Sequence, residues 1–170
     1  MAVDIRIPRS PIHAMVNTGG DATHPAFIQL LNPGGSLVDL VIYEILLGQE
    51  GLTARARLRR TNAPLTGAGT QSVGLTARMD ERDATAIQAT LSGWTATTTT
   101  AITDANSFWF DKTATAGGAG YLEQPIVRPT GYPLIVKPGS ALEYSADQTL
   151  DQAAAKLIRI RVIWDEYTRP

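Results

Sequence analysis

Cysteine is absent from the 170-residue chain. That removes disulfide frameworks, thiolate zinc sites and cysteine nucleophiles from consideration. Long hydrophobic runs are missing too. The longest, LVIYEILL at Leu40–Leu47, carries Glu44 and is far shorter than a membrane-spanning helix. Nor is there an excess of positive charge. Fifteen Lys and Arg against sixteen Asp and Glu leave a net charge of −1, which argues against a protein that works by bulk attraction to nucleic acid. Histidine is scarce. His13 and His24 fall in a Pro- and Gly-rich N-terminal stretch without HxxxH spacing, so no metal site is expected. Nucleotide-binding glycine motifs and GxSxG are likewise missing. The cluster GGAG at Gly117–Gly120 lacks the strand–turn–helix setting that cradles phosphate. Neither a catalytic site nor a cofactor is therefore expected, and the chain is read as non-enzymatic.

Apolar residues make up 44% of the sequence, ordinary for a globular protein, and the length suits one domain with its own core. The N-terminus places Asp4, Pro8 and Pro11 where a signal peptide needs an apolar stretch. The expectation is a soluble product that folds where it is made, in a cytoplasm. Residues 1–25 read as an extended arm with a short apolar beat at Val3, Ile5 and Ile7, and residues 26–170 as the folded domain.

The domain reads as strands separated by turn signals. AFIQLLN ends at Pro33-Gly34-Gly35. SLVDLVIYEILLG follows, rich in β-branched and aromatic residues, with apolar side chains on both faces. LTARARLRRT alternates with a period of two, which puts Arg55, Arg57 and Arg59 on one face and Leu52, Ala54, Ala56 and Leu58 on the other. YLEQPIV, YPLIVKPGS and ALEYSAD read as three short strands, and KLIRIRVIWDEY as a closing strand. Its inward set would be Ile158, Ile160, Val162 and Trp164, with Arg159 and Arg161 outward. Residues 75–93 fit either helical turns or a polar edge strand with a loop. About eight strands without alternating helices indicate an all-β, antiparallel β-sandwich or barrel.

Few residues suggest contact chemistry. The stripe Arg55, Arg57 and Arg59, with Arg60 beside it, is either a solvated sheet face paired to its neighbours or a docking surface for carboxylates. Trp109 in SFWFDK and Trp94 in SGWT are either covered by loops or exposed for a partner or a sugar. Asp80, Glu81 and Asp83 alternate with Arg78 and Arg82, as in a solvated stretch with local pairing. Asp165 and Glu166, adjacent in a strand, should face opposite ways and so make a poor acid–base pair.

The order of the pieces resembles a family of small structural proteins of tailed-bacteriophage virions. The resemblance rests on FIQLLNPGGSLVDLVIYEILLG, LTARARLRRT, PLIVKPGSALEYSADQTLD and LIRIRVIWDEY, over about residues 27–60 and 132–167. It implies a jelly-roll-like β-sandwich, homo-oligomers (a trimer or dimer), and a place on the virion surface. The expectation that follows is a capsid decoration, or cement, protein bound to the major capsid protein, without nucleic acid or membrane as partner. Ile5 and Ile7 of the arm and the arginines 55, 57 and 59 are the expected contact residues. The rival expectations are a tail, fibre or baseplate component touching host glycan through Trp94, Trp109 and Tyr121, and a cellular carbohydrate-binding module.

Overall fold

The computed structural model describes residues 11–19, 27–49, 56–62, 71–80, 84–94, 108–109, 122–125, 134–146 and 157–168. Twelve strands lie within them: β1 (Ile12–Gly19), β2 (Phe27–Asn32), β3 (Val38–Gln49), β4 (Ala56–Thr61), β5 (Gln71–Val73), β6 (Leu75–Arg78), β7 (Thr90–Trp94), β8 (Phe108–Trp109), β9 (Leu122–Pro125), β10 (Leu134–Val136), β11 (Ser140–Ala146) and β12 (Leu157–Thr168). Among the described residues there is no helix. Within 75–93 the described residues form β6, a bend at 79–80, a stretch without regular structure over 84–89, and β7.

The pairing is nested. β1 pairs with β12, β2 with β11, β3 with β10 and β4 with β8, every pair antiparallel. A long two-stranded ribbon is thus wound on itself, with β12 brought beside β3 and β11 beside β4. The result is one sheet ordered β10-β3-β12-β1-β6, with β9 also on β3, and a second ordered β5-β7-β2-β11-β4-β8. The eight nested strands make a jelly roll, a double Greek key that leaves few free edges. The other four are additions. β5, β6 and β7, inserted between β4 and β8, extend the sheets beyond β1 and β2, and β9 lengthens the cover of β3.

Period-two patterning builds the core. Ile160, Val162 and Trp164 of β12 face inward, as their alternation predicts, against Ile12 and Ala14 of β1 and against Leu40 and Ile42 of β3. Ile28, Leu30, Leu58, Leu91, Leu142 and Tyr144 supply the facing layer. The alternation fails once. Ile42 pairs with Trp164 and Glu44 with Ile163, so Tyr43 is an extra residue, a β-bulge. Beyond it the inward set changes parity, from Val38, Leu40 and Ile42 to Ile45. Strict alternation puts Ile45 on the face of Tyr43; the bulge separates them.

Two turns meet at one corner of the sandwich. Lys137-Pro138-Gly139-Ser140 joins β10 to β11, with Ser140 N–H donating to Lys137 C=O at 3.0 Å. Gly139 holds φ +76°, the left-handed position that the third residue of a type II turn requires. Next to it runs Pro33-Gly34-Gly35-Ser36, closed by Ser36 N–H to Pro33 C=O at 3.0 Å. Asn32 fastens the two together. Its side chain is fully buried, and Nδ2 donates to the carbonyls of Val38 and Val136, both at 2.9 Å. Its Oδ1 accepts from the Ser36 hydroxyl, and its own carbonyl accepts from Gly139 N–H at 2.9 Å.

The same end of the sandwich is also closed by charge, since Glu166 pairs with Leu40 at the start of β3. Glu166 Oε1 accepts the backbone N–H groups of Gln88 and Ala89, at 2.9 and 3.0 Å, and Oε2 lies 3.6 Å from the guanidinium of Arg78. Both side chains are buried. Arg78 Nε donates in turn to the Thr85 carbonyl at 2.8 Å, which holds the stretch 84–89 across the bottom of the core.

The structure redraws the N-terminal boundary. Residues 12–19, part of the arm read over 1–25, form β1 between β12 and β6. Residues 1–10, with Ile5 and Ile7, lie outside the described residues.

Replacing Asn32 by Leu keeps the branched outline of the side chain but leaves two strand-end carbonyls without their side-chain donor. Stability is expected to fall by about 1–3 kcal/mol for such loss. Urea denaturation reads this directly; an unchanged midpoint would mean that the corner is held by its turns alone.

Candidate functional site

The two sheets differ in what their outer faces offer. On the sheet containing β2, β11 and β4, the outward row is Gln29, Glu143 and Arg59, aligned across the strands by register. Glu143 is almost fully buried and is held from both sides. Gln29 Nε2 donates to Oε1 at 2.9 Å, and the Arg59 guanidinium donates to Oε2. Arg59 itself is only 11% exposed. Its charge is spent within the sheet, so the docking role expected of it does not fit its surroundings; the paired-face alternative does. Arg57 has its backbone in β4, opposite Ser145 and Trp109, with its side chain outside the described residues. Arg55 lies outside them altogether.

The outer face of the sheet containing β10, β3 and β12 is open. Ile135, Val41 and Asp165 form one cross-strand row, and Asp39 pairs with Tyr167 beside it. Tyr43, Tyr167 and Ile135 are all exposed, as is Leu37 just ahead of β3. Tyr43 lies on this outward face by simple alternation from Ile42, as Val41 does, and the bulge sets it between the pairs Ile42–Trp164 and Glu44–Ile163. The Tyr43 hydroxyl then lies 3.3 Å from Asp165 Oδ2 and 3.1 Å from the Tyr167 hydroxyl. Asp165 is buried although it sits on the outward face, and its Oδ1 has no hydrogen-bond partner among the described residues. Along the same face Arg161 and Glu44 form an ion pair at 3.0 Å, half-exposed at both ends and so of small energetic weight.

The Tyr43 phenol is held well above its ordinary range. The hydrogen bond with Tyr167 is the largest cause, followed by desolvation and the negative charge of Asp165. A phenol so placed stays protonated and can donate to the Asp165 carboxylate. Asp165 and Glu166 do point to opposite faces, one to Tyr43 and the other into the bottom of the core. What the face provides is an aromatic and apolar surface around a carboxylate, with hydrogen-bonding groups at its centre.

Trp94 and Trp109, read as either covered or exposed, lie on β7 and β8. Trp94 ends β7, paired to Phe27 and Gln71, and is half-buried. Trp109 lies on β8 opposite Arg57, with its side chain outside the described residues, and Tyr121 is outside them entirely. His13 is a backbone member of β1, and His24 lies outside the described residues. Among the described residues no group of three or more His, Asp or Glu is arranged to hold a metal. Sequence reading missed Tyr43 and Tyr167 because a period-two count places Tyr43 on an ordinary strand face. The signal lay in the mismatch of parity between Ile42 and Ile45, which appears only once β12 is paired.

Two measurements test these assignments. Arg59→Leu leaves Glu143 buried without its cation, and should lower stability by about 3 kcal/mol; denaturation would show no such loss if Arg59 were a docking residue. For Tyr43, absorbance titration should show one tyrosine ionising above the usual value of about 10, absent in Tyr43→Phe. Because the folded-state value is raised, the contact contributes its full stability below about pH 10. That contribution is lost as pH rises toward the folded-state value, and Tyr43→Phe should lose less stability over the same alkaline range.

No protein-family model, curated protein or solved structure matches this chain.

Proposed function

We propose that the chain is a non-enzymatic structural protein of a virion, a capsid decoration protein that binds the major capsid protein across subunit boundaries and stabilises the head. The reading rests chiefly on one observation, the open face of Tyr43, Ile135 and Tyr167 on a rigid sheet. Large exposed apolar side chains grouped on one surface are the usual mark of a contact site. Aromatic residues with a polar tip are favoured at the centre of such contacts. The jelly-roll order adds support by analogy, since the architecture recurs in viral capsid and lectin domains, although a fold alone does not specify function. Decoration acts by area. Each interface of standard size buries on the order of 1,600 Å², and many copies on a shell multiply it. In this reading the protein forms homo-oligomers at the capsid surface, and residues 1–10, with Ile5 and Ile7, add a second contact.

Glycan contact is the alternative that a specific observation favours. Tyr43 and Tyr167 offer ring surface beside the carboxylate of Asp165, a combination that suits a sugar. In this alternative the platform would lie on β3 and β12, in the other sheet from Trp94 and Trp109.

Electron microscopy of purified particles labelled with an antibody to the chain should show label on heads; label confined to tails or fibres would overturn the decoration reading. On particles, the double variant Tyr43→Ala/Tyr167→Ala should reduce occupancy about tenfold or more, as loss of a central hot spot does. Deletion of residues 1–10 should also reduce it with the fold intact. The deletion has to stop there, because β1 begins at Ile12. A glycan array bound by the natural chain and not by Tyr167→Ala would favour the alternative.

A further inference from the structure

Three carboxylates are buried among the described residues: Glu143, Asp165 and Glu166. Two of them follow one rule. Glu143 takes the guanidinium of Arg59 and the amide of Gln29, and Glu166 takes Arg78 with the backbone N–H groups of Gln88 and Ala89. Asp165 departs from it. It is only 6% exposed, yet no cation among the described residues joins it. Its hydrogen bond comes from the Tyr43 hydroxyl to Oδ2 at 3.3 Å, and Oδ1 has none. An O–H···O bond is ordinarily about 2.7–2.8 Å, so even that contact is weak.

A buried charge without partners destabilises a fold, so the gap at Asp165 requires a cause. Arginines nearby have other duties. Arg161, on the same face of β12, is matched with Glu44, while Arg59 and Arg78 serve Glu143 and Glu166.

The position of Asp165 supplies that cause. It stands on the open face, level with Val41 and Ile135 on the neighbouring strands. Two residues along, Asp39 pairs with Tyr167 and brings a second carboxylate to the same end of the face. Beside Asp165 the phenols of Tyr43 and Tyr167 meet, hydroxyl to hydroxyl, at 3.1 Å, and both residues are about half exposed. An unmatched carboxylate, bordered by aromatic rings on a surface built for contact, is complementary to a positive charge.

We propose that the missing cation comes from outside: the face receives an arginine or lysine side chain of a partner protein, whose charged head takes Asp165 Oδ1. Tyr167 makes room for it. Its hydrogen bond is to the Tyr43 hydroxyl at the tip of the side chain, so a turn about its side-chain bonds opens the carboxylate without disturbing the core. The Tyr43 hydroxyl keeps Oδ2. The two tyrosine rings flank the incoming cation, which aromatic faces attract. The contact then repeats from outside what Arg59 and Gln29 do for Glu143 from within, one cation and one neutral donor on one carboxylate. A charged donor is favoured over a neutral one because hydrogen bonds between ionised groups are the stronger. This inference rests on the reading of the face as a contact surface and names the chemistry at its centre. It is tested on purified protein without particles, so either can fail alone.

Nuclear magnetic resonance titration of the purified chain with N-acetyl-arginine amide should give saturable shifts at residues 41–43 and 165–167. N-acetyl-citrulline amide, alike in shape but uncharged, should give none. Asp165→Asn keeps the outline of the side chain and should weaken binding of the arginine probe at least about tenfold. Its urea midpoint should stay or rise, because an unmatched buried charge is removed. Tyr167→Phe keeps the ring and frees its tip, and should bind the probe at least as tightly as the natural chain. Equal binding of the citrulline probe would overturn the proposal, since a neutral donor such as a sugar hydroxyl would then suffice. So would binding that Asp165→Asn leaves unchanged, a midpoint that falls in that variant, or no binding of the arginine probe. Label on heads without a response to the probe sinks this inference alone, and a response to the probe without label on heads sinks only the decoration reading.

Discussion

Asn32 is the point on which the two sheets are hung. It ends β2 in one sheet, yet its amide donates to the start of β3 and the end of β10 in the other. A jelly roll needs its ribbon to turn from sheet to sheet without leaving buried backbone groups unsatisfied, and corners are where this is hardest. Asparagine carries donor and acceptor on one short planar group. It can serve two carbonyls while accepting from Ser36, which aspartate, leucine or serine could not all do. Gly139 completes the corner by adopting a conformation closed to most residues and donating to the Asn32 carbonyl. The stretches NPGGS and KPGS, far apart in sequence, are thus halves of one device.

Buried charge has a comparable role elsewhere. Glu143 and Glu166 are both almost inaccessible, and each is matched with an arginine and with neutral donors. Replacing such pairs by hydrocarbon is often neutral or stabilising, so they are poor evidence of stability as such. Their geometry suggests specification instead. Gln29, Glu143 and Arg59 meet only when β2, β11 and β4 are in correct register, since a slip of one residue in any of these strands would turn its own member of the row inward. Glu166 meets Gln88, Ala89 and Arg78 only when the inserted segment lies across the end of the core.

Much of this was legible in the sequence. The closing strand reads correctly because Ile160, Val162 and Trp164 keep strict alternation, with Trp164 and Val162 opposite the buried Ile12 and Ala14 of β1. The turns are legible because proline and glycine have few uses. Three things were not. The bulge at Tyr43 is invisible to any pattern within β3, because it exists only relative to β12. The arginine at position 59 looks like surface chemistry until Glu143 is brought opposite it from 84 residues away. β1 looked like arm because its apolar beat is diluted by His13, Asn17 and Thr18; its place between two strands, not its composition, makes it structural. Contacts between distant strands decide all three, and local propensity contains none of them.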